Sequence, residues 1–249
     1  MRVEAHIMAR NEEKLIAYTI RHYRSFCERV VLHDNFSSDR TREIASSLGA
    51  DVVDFDTGNT VNDIQFKVLK DTCWKCAKAD LALCADADEF LYFPQGAAST
   101  LTAYLNNRVA IVKPHGFEMF SETYPTTEHQ IYDELKVGAP EDKWYAKPIL
   151  FNLWLVREMN FTVGAHTCDP VLCDGRRPGN PTVPSTPPTY LLHYHHIGPI
   201  EDIARKYDEH RQRMSEINKR NNWGWHGNGL THAREKRAAI LPHLKQIIQ

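Results

Sequence analysis

Over residues 1–90, short and wholly apolar runs alternate with stretches whose apolar residues recur at helical spacing. Val3 to Met8, Val30-Val31-Leu32, Val52-Val53 and Leu81-Ala82-Leu83-Cys84 read as strands. Between the first two, Asn11 is positioned to cap a helix with Glu12 and Glu13 in its first turn. That helix runs to about Cys27, with Leu15, Ile16, Thr19, Ile20 and Tyr23 along one face. Ser37 or Ser38 caps the next helix, with Asp39 in its first turn, and a third helix spans about Val61 to Ala77. Uninterrupted apolar strands belong to sheets covered on both faces. The order strand-helix-strand-helix-strand-helix-strand therefore predicts an α/β fold with a mostly parallel central sheet, right-handed crossovers and helices on both faces. Ligands of such sheets bind beyond the carboxyl ends of the strands. Arg10-Asn11, Asp34-Asn35 and Asp86 to Glu89 each follow an apolar strand, so all three polar clusters fall on that one edge.

The second half is less regular. Val109 to Val112 and Ile149 to Trp154 look like strands, and residues 169–188, rich in Pro and Gly, read as a long loop. Tyr190-Leu191-Leu192 is a last strand leading into His193; Pro199, with Glu201 and Asp202 after it, opens a charged helix to about Arg220. No repeat or clean boundary divides the 249 residues. Thirty basic against 32 acidic residues leave a net charge of -2, which argues against a nucleic-acid partner. No apolar run approaches the roughly 18 to 20 residues that cross a bilayer. Met1-Arg2-Val3-Glu4 lacks the layout of a signal peptide, so a cytoplasmic location is expected. The stretch from Thr231 to Gln249 is basic and then apolar; a packed terminal helix is the favoured reading, and peripheral membrane attachment the other. The six cysteines are expected to be free thiols.

Asp86-Ala87-Asp88-Glu89 carries the most chemistry. Three carboxylates straight after a buried strand repel one another unless a cation is present. In extended backbone Asp86 and Asp88 point the same way. Hard carboxylate oxygens suit Mg²⁺ or Mn²⁺, ions that keep coordination positions open for phosphate oxygens. His193 and His195 share a strand face in a second cluster; an imidazole beside the two aspartates favours Mn²⁺, while solvated histidines at a strand end are the plain alternative. Cys73-Trp74-Lys75-Cys76 has the spacing of half a zinc knuckle, and Cys168 and Cys173 offer further sulfur. However, Cys73 and Cys76 continue a helical stripe from Leu69, which reads as core packing.

Met8-Ala9-Arg10-Asn11-Glu12, then Asp34-Asn35-Phe36-Ser37-Ser38-Asp39-Arg40-Thr41, then Asp86-Ala87-Asp88-Glu89-Phe90 resemble, in order, three signatures of family-2-like glycosyltransferases. The ending Asp-Glu-Phe is similar to a bacterial subgroup related to family-92-like enzymes. The likeness covers residues 3–95 well. It is looser at Lys147-Pro148, at Gly164-Ala165-His166 and at His193-Tyr194 followed by Lys206.

The resemblance implies a GT-A fold in one domain: a Rossmann-like nucleotide half (1–95), an irregular acceptor half (96–198) and C-terminal helices (199–249). It implies a UDP- or GDP-sugar donor, a glycan or lipid-linked acceptor, and Mn²⁺ or Mg²⁺. Ala9, Arg10 and Asn11 would border the base, and Asp34 would bind the nucleoside. Asp63, Lys67, Lys147 and His166 would lie along the nucleotide sugar. Asp88 would ligate the metal directly with His193 as a further ligand, and Asp86 would sit near the ribose or the metal. The family's usual Glu-Asp base motif is not found, which leaves Glu118, Asp133 and Glu134 as candidates for a catalytic base and the expected inversion without a fixed base. Two other functions fit an acid-rimmed α/β sheet: a nucleotidyltransferase, which needs a glycine-rich phosphate loop absent from Met8-Ala9-Arg10-Asn11, and a non-catalytic nucleotide-sugar-binding module.

Overall fold

The computed structural model describes residues 1–141, 143–224 and 228–249. The chain begins β1 (Val3–Ala9), α1 (Ile16–Arg24), β2 (Arg29–Asp34), α2 (Thr41–Ser47), β3 (Asp51–Asp54), α3 (Asp63–Thr72) and β4 (Leu81–Asp86). It continues through β5 (Glu89–Tyr92), α4 (Ala97–Asn106), β6 (His115–Ser121), α5 (Ile131–Glu134), β7 (Val137–Pro140), β8 (Leu150–Asn152), β9 (Val156–Glu158) and β10 (Val171–Leu172). The last elements are β11 (Tyr190–Ile197), α6 (Ile200–Gln212), α7 (Glu216–Asn221), α8 (Gly229–Ile240) and β12 (Lys245–Gln246).

The first sheet has the order β3-β2-β1-β4-β8, with β1 to β4 parallel and β8 antiparallel at the edge. The alternation of β1 explains its two-sided burial. Val3, Ala5, Ile7 and Ala9 pack with Ile16, Ile20 and Tyr23 of α1, whereas Met8 joins Cys84 and Trp74 on the opposite face, beneath α3. Helices thus cover both faces, as the apolar runs require. The second sheet has the order β12-β7-β6-β11-β5. Two residues, Ala87 and Asp88, separate β4 in the first sheet from β5 in the second, so the acidic segment turns the corner between the sheets.

Several sequence-based boundaries shift, for one shared reason. Asn11 does not cap α1: it has φ 53°, and its side chain accepts from the Ser38 amide at 2.8 Å, while the helix starts only at Ile16. Ser37, Asp39 and Thr41 likewise bond the 11–13 segment, through the amides of Asn11, Glu13 and Glu12, and only Asp39 also accepts the first amide of α2, that of Thr41. Residues with cap chemistry here join the first strand's loop to the second's. Val109 to Val112 forms no strand of its own; Ile111 makes a single bridge to Phe151. The helix after Pro199 stops at Gln212, and α7 follows separately. The terminal segment is helical only to Ile240, apart from a short turn at Leu241–His243; then β12 pairs with β7 and Ile248 is buried against the second sheet. Among the described residues, no helix is long and apolar enough to cross a membrane.

His22 of α1 yields a stability prediction. It is buried among Tyr23, Phe26, Phe90 and Tyr132, and burial pulls its pKa down to about 3. Below pH ~6.5 the unfolded chain binds a proton here that the folded chain refuses, so stability is lost as pH falls from ~6.5 toward 3, at about 1.4 kcal/mol per pH unit. Urea unfolding at stepped pH is expected to show that slope reduced by this amount in His22→Leu; an unchanged acid limb would contradict it.

Candidate functional site

The polar loops after β1, β2 and β4 open into two adjoining cavities, of about 300 and 840 Å³, that share Arg10, Glu12, Asp63 and Asp86 in their walls. The cleft sits at the carboxyl edge of the parallel strands, where this topology places ligands.

Asp88 lies at its centre. Its Oδ2 is 3.0 Å from His195 Nδ1 and 3.7 Å from His193 Nε2. The two imidazoles are stacked with 5.7 Å between centroids, as same-face neighbours two residues apart on β11 must be. Strand register fixes His193 further. It pairs with Glu89 on β5 and with Glu118 on β6, so it stands between two buried carboxylates, with its Nδ1 3.7 Å from Glu118 Oε2. Tyr145 stacks on its face at 4.2 Å. Burial opposes a charge on His193, but Asp88, Glu118 and Glu89 together outweigh it and lift its pKa to about 9. Burial likewise opposes the charge of Asp88, and His193, His195 and Lys206 overturn that to hold its carboxyl below the ordinary range.

Asp86 is differently engaged. Its two oxygens face Lys70 Nζ at 2.7 Å and Lys147 Nζ at 3.4 Å. Lys147 also meets Glu89 Oε1 at 2.5 Å, and the other oxygen of Glu89 accepts the Asp86 amide at 2.9 Å. Lys147 and Glu89 are both buried. Lysines thus pair with Asp86, while imidazoles flank Asp88. Asp88, His193 and His195 remain suitable in donor type, one hard oxygen with two imidazoles, arranged as an open flank instead of a closed cage.

Other expected residues divide. Ala9, Arg10, Asn11, Asp63, Lys67, Lys147 and His166 line the cavities. Lys67 is already paired with Asp71 at 2.7 Å, and His166 Nδ1 bonds the Trp144 carbonyl at 2.8 Å. Asp34 is fully buried, and its oxygens are held by Ser37 and Arg42; it organises the loop, and the neighbouring Asn35 faces the cavity instead. The three candidate bases are misplaced. Asp133 accepts the Gln130 amide and Glu134 the amides of Thr126 and Thr127, so both serve as caps outside the cleft wall. Glu118 is buried behind His193, where it can orient that ring but does not reach the cleft.

Residues assigned no site role from sequence complete the wall. Lys70 lies one helical turn beyond Lys67, and His195 two residues beyond His193, so both carried a spacing signal. Glu12 and Lys206 meet at 2.6 Å across 194 positions, which no local pattern announces. Arg10 and Arg213 both bond Asn35 and Asn59, and burial with Arg10 nearby pulls Arg213 down to about 10.

Gly116 sets the approach of the segment that carries Tyr145 and Lys147. A Cβ there would lie 2.5 Å from Ala146 N and Glu141 O, both backbone atoms that cannot swing aside. Gly116→Ala is expected to destabilise by roughly 1–3 kcal/mol and to loosen Lys147 from Glu89. Thermal unfolding checks it, and a neutral result would show that the segment does not need this close seat.

No protein-family model and no curated protein sequence matches the chain. Solved structures resemble it in part. Mannosyl-3-phosphoglycerate synthase from Rubrobacter xylanophilus is 22% identical over 48% of this chain and 41% of its own, with TM-score 0.36. Glucosyl-3-phosphoglycerate synthase from Mycobacterium tuberculosis, in complex with Mn²⁺, uridine diphosphate and glucosyl-3-phosphoglycerate, is 17% identical over 47% of this chain and 44% of its own, with TM-score 0.33. S. aureus TarS is 15% identical over 61% of this chain and 28% of its own, with TM-score 0.36. This chain spans less than half the length of each, and likenesses this distant do not assign an activity.

Proposed function

We propose that the chain is a glycosyltransferase that moves a sugar from a nucleotide-diphosphate sugar to an acceptor hydroxyl. One observation carries the reading: at the carboxyl edge of a parallel sheet, a partly buried carboxylate flanked by two imidazoles faces a cleft also walled by Lys70, Lys147, Lys206 and Arg10. Such a site is built for a polyanion, and a pyrophosphate fits its excess of cations. The resemblance of the Arg10, Asp34 and Asp88 segments to family-2-like enzymes supports the same assignment.

In this reading Arg10, Asn35 and Arg213 border the nucleoside. Lys70 and Lys147, already fixed by Asp86 and Glu89, present positive charge toward the diphosphate without having to reorganise. Asp88 with His193 and His195 would hold Mn²⁺ or Mg²⁺, which when bound supplies Lewis-acid stabilisation of the leaving diphosphate. Glu118 and Glu89 keep His193 in place from both sides. Glu12 and Asp63 are the wall carboxylates whose pKa burial raises, the property a proton acceptor for the incoming hydroxyl requires. The nucleotidyltransferase alternative lacks its phosphate loop, since β1 runs into Arg10 and Asn11 with no glycine.

A panel of UDP- and GDP-sugars assayed for Mn²⁺-dependent hydrolysis tests the proposal. Release of nucleoside diphosphate from at least one donor is expected; turnover of nucleoside triphosphates with none of any nucleotide sugar would replace it with the nucleotidyl reading.

A further inference from the structure

A second cluster lies on the α3 side of the first sheet, and the transfer reaction does not use it. His6, in the middle of β1, and His33, near the end of β2, bring Nδ1 and Nε2 to 3.0 Å. Cys73, at the C-terminal cap of α3, faces both: one ligand atom from each of the three residues lies within 4.8 Å of the other two. Cys84 sits beside His6 in the β1–β4 register, with its Sγ 3.7 Å from that of Cys73. Both imidazoles and Cys84 are buried, while Cys73 is partly exposed and offers a way in.

We propose that His6, His33 and Cys73 hold a zinc-class divalent ion. Three observations carry this. First, the spacing fits: tetrahedral zinc at usual bond lengths separates two nitrogens by ~3.3 Å, close to the 3.0 Å found, and the Cys73 sulfur lies within 4.8 Å of both rings. Second, the outer nitrogen of His6, Nε2, lies 3.2 Å from Glu4 Oε1. Although no hydrogen bond joins them in this geometry, a buried carboxylate beside that nitrogen favours the ring proton there and leaves the Nδ1 lone pair facing inward, as in carboxylate–histidine–zinc arrangements. Third, β1, β2 and the end of α3 each supply one donor, so the ion would fasten α3 to β1 and β2. Imidazole and thiolate select zinc over Mg²⁺ or Mn²⁺, which separates this site from the one at Asp88. Binding forms a metal–sulfur bond at Cys73 and releases its thiol proton to solvent, while Cys84 keeps its S–H directed at the Lys70 carbonyl. Because α3 carries Asp63 and Lys70, the ion would stiffen one wall of the cleft from behind.

Cobalt substitution of the full, reduced chain tests the site. One Co²⁺ per chain is expected, with thiolate-to-cobalt charge-transfer bands and the intense visible bands of tetrahedral coordination. Cys73→Ser and His33→Ala are each expected to abolish the bands, and Asp88→Asn to leave them. Glu4→Gln should retain them with affinity weakened roughly 10- to 100-fold in chelator competition. Should a variant fold poorly, alkylation of the wild type decides: zinc is expected to protect Cys73, and a chelator to expose it. Absence of thiolate–cobalt bands, bands that survive both substitutions, or a Cys73–Cys84 disulfide in the freshly isolated protein would overturn the proposal.

Discussion

Asp88→Asn is expected to lower nucleotide-sugar turnover by about 100- to 1000-fold, the loss that follows removal of one fixed electrostatic partner of a transition state. The amide preserves volume, so the fold should survive, but the negative charge between His193 and His195 disappears. Any cation held on this flank then loses its only carboxylate donor of the three residues proposed to hold it. A second readout follows from the same geometry. Asp88 is one of the neighbours that lift His193 to about 9, so the imidazole pKa in the metal-free variant should fall, which ring-proton NMR can follow. Wild-type turnover in the variant would remove Asp88 from the mechanism.

The largest stability effect is expected from Lys147→Met, a loss of about 3–5 kcal/mol. Methionine retains the aliphatic stem and deletes the ammonium. Glu89, fully buried, would then keep the Asp86 amide and the more distant His193 ring at 4.0 Å but lose its close ammonium partner. Burial works against a charge on Lys147, yet Glu89 and Asp86 outweigh it and hold the ammonium above the ordinary lysine range, so the lysine stays charged in the folded protein. An uncompensated buried carboxylate is expensive, whereas removal of both charges is not. Urea denaturation of Lys147→Met, Glu89→Gln and the double variant should therefore show strong non-additivity, with the double variant recovering much of the loss. Additive effects would mean that the two groups do not depend on each other.

The first half of the fold was legible because its pattern is local. Strands such as Leu81 to Cys84 are apolar throughout, and each ends in polar residues that the parallel topology gathers at one edge. The acids of Asp86 to Glu89 were legible as a site for the same reason. Their division of labour was not. Asp86 and Asp88 share a face in the sequence pattern, but the chain turns between two sheets after Asp86, and Lys147 arrives from 61 positions away to claim one of them. Asp34 was misread because side-chain identity cannot distinguish an acid that meets a ligand from one that ties its own loop through Ser37. Asp133 and Glu134 looked like bases only because the acceptor half offered few acids; their cap bonds depend on turn geometry at Thr126 and Gln130. Cys73 was read as helix packing, and the spacing to Cys76 drew attention along the chain, whereas its partners His6 and His33 lie across the sheet.

The central claim is that the cleft exists to hold a nucleoside diphosphate against Asp88 and the cationic wall. Calorimetric titration of UDP and GDP into the full chain, with and without Mn²⁺, measures this most directly. Binding of at least one diphosphate that tightens with Mn²⁺ and weakens in Asp88→Asn is the expected result. Failure of both nucleotides to bind, with or without the metal, would contradict it.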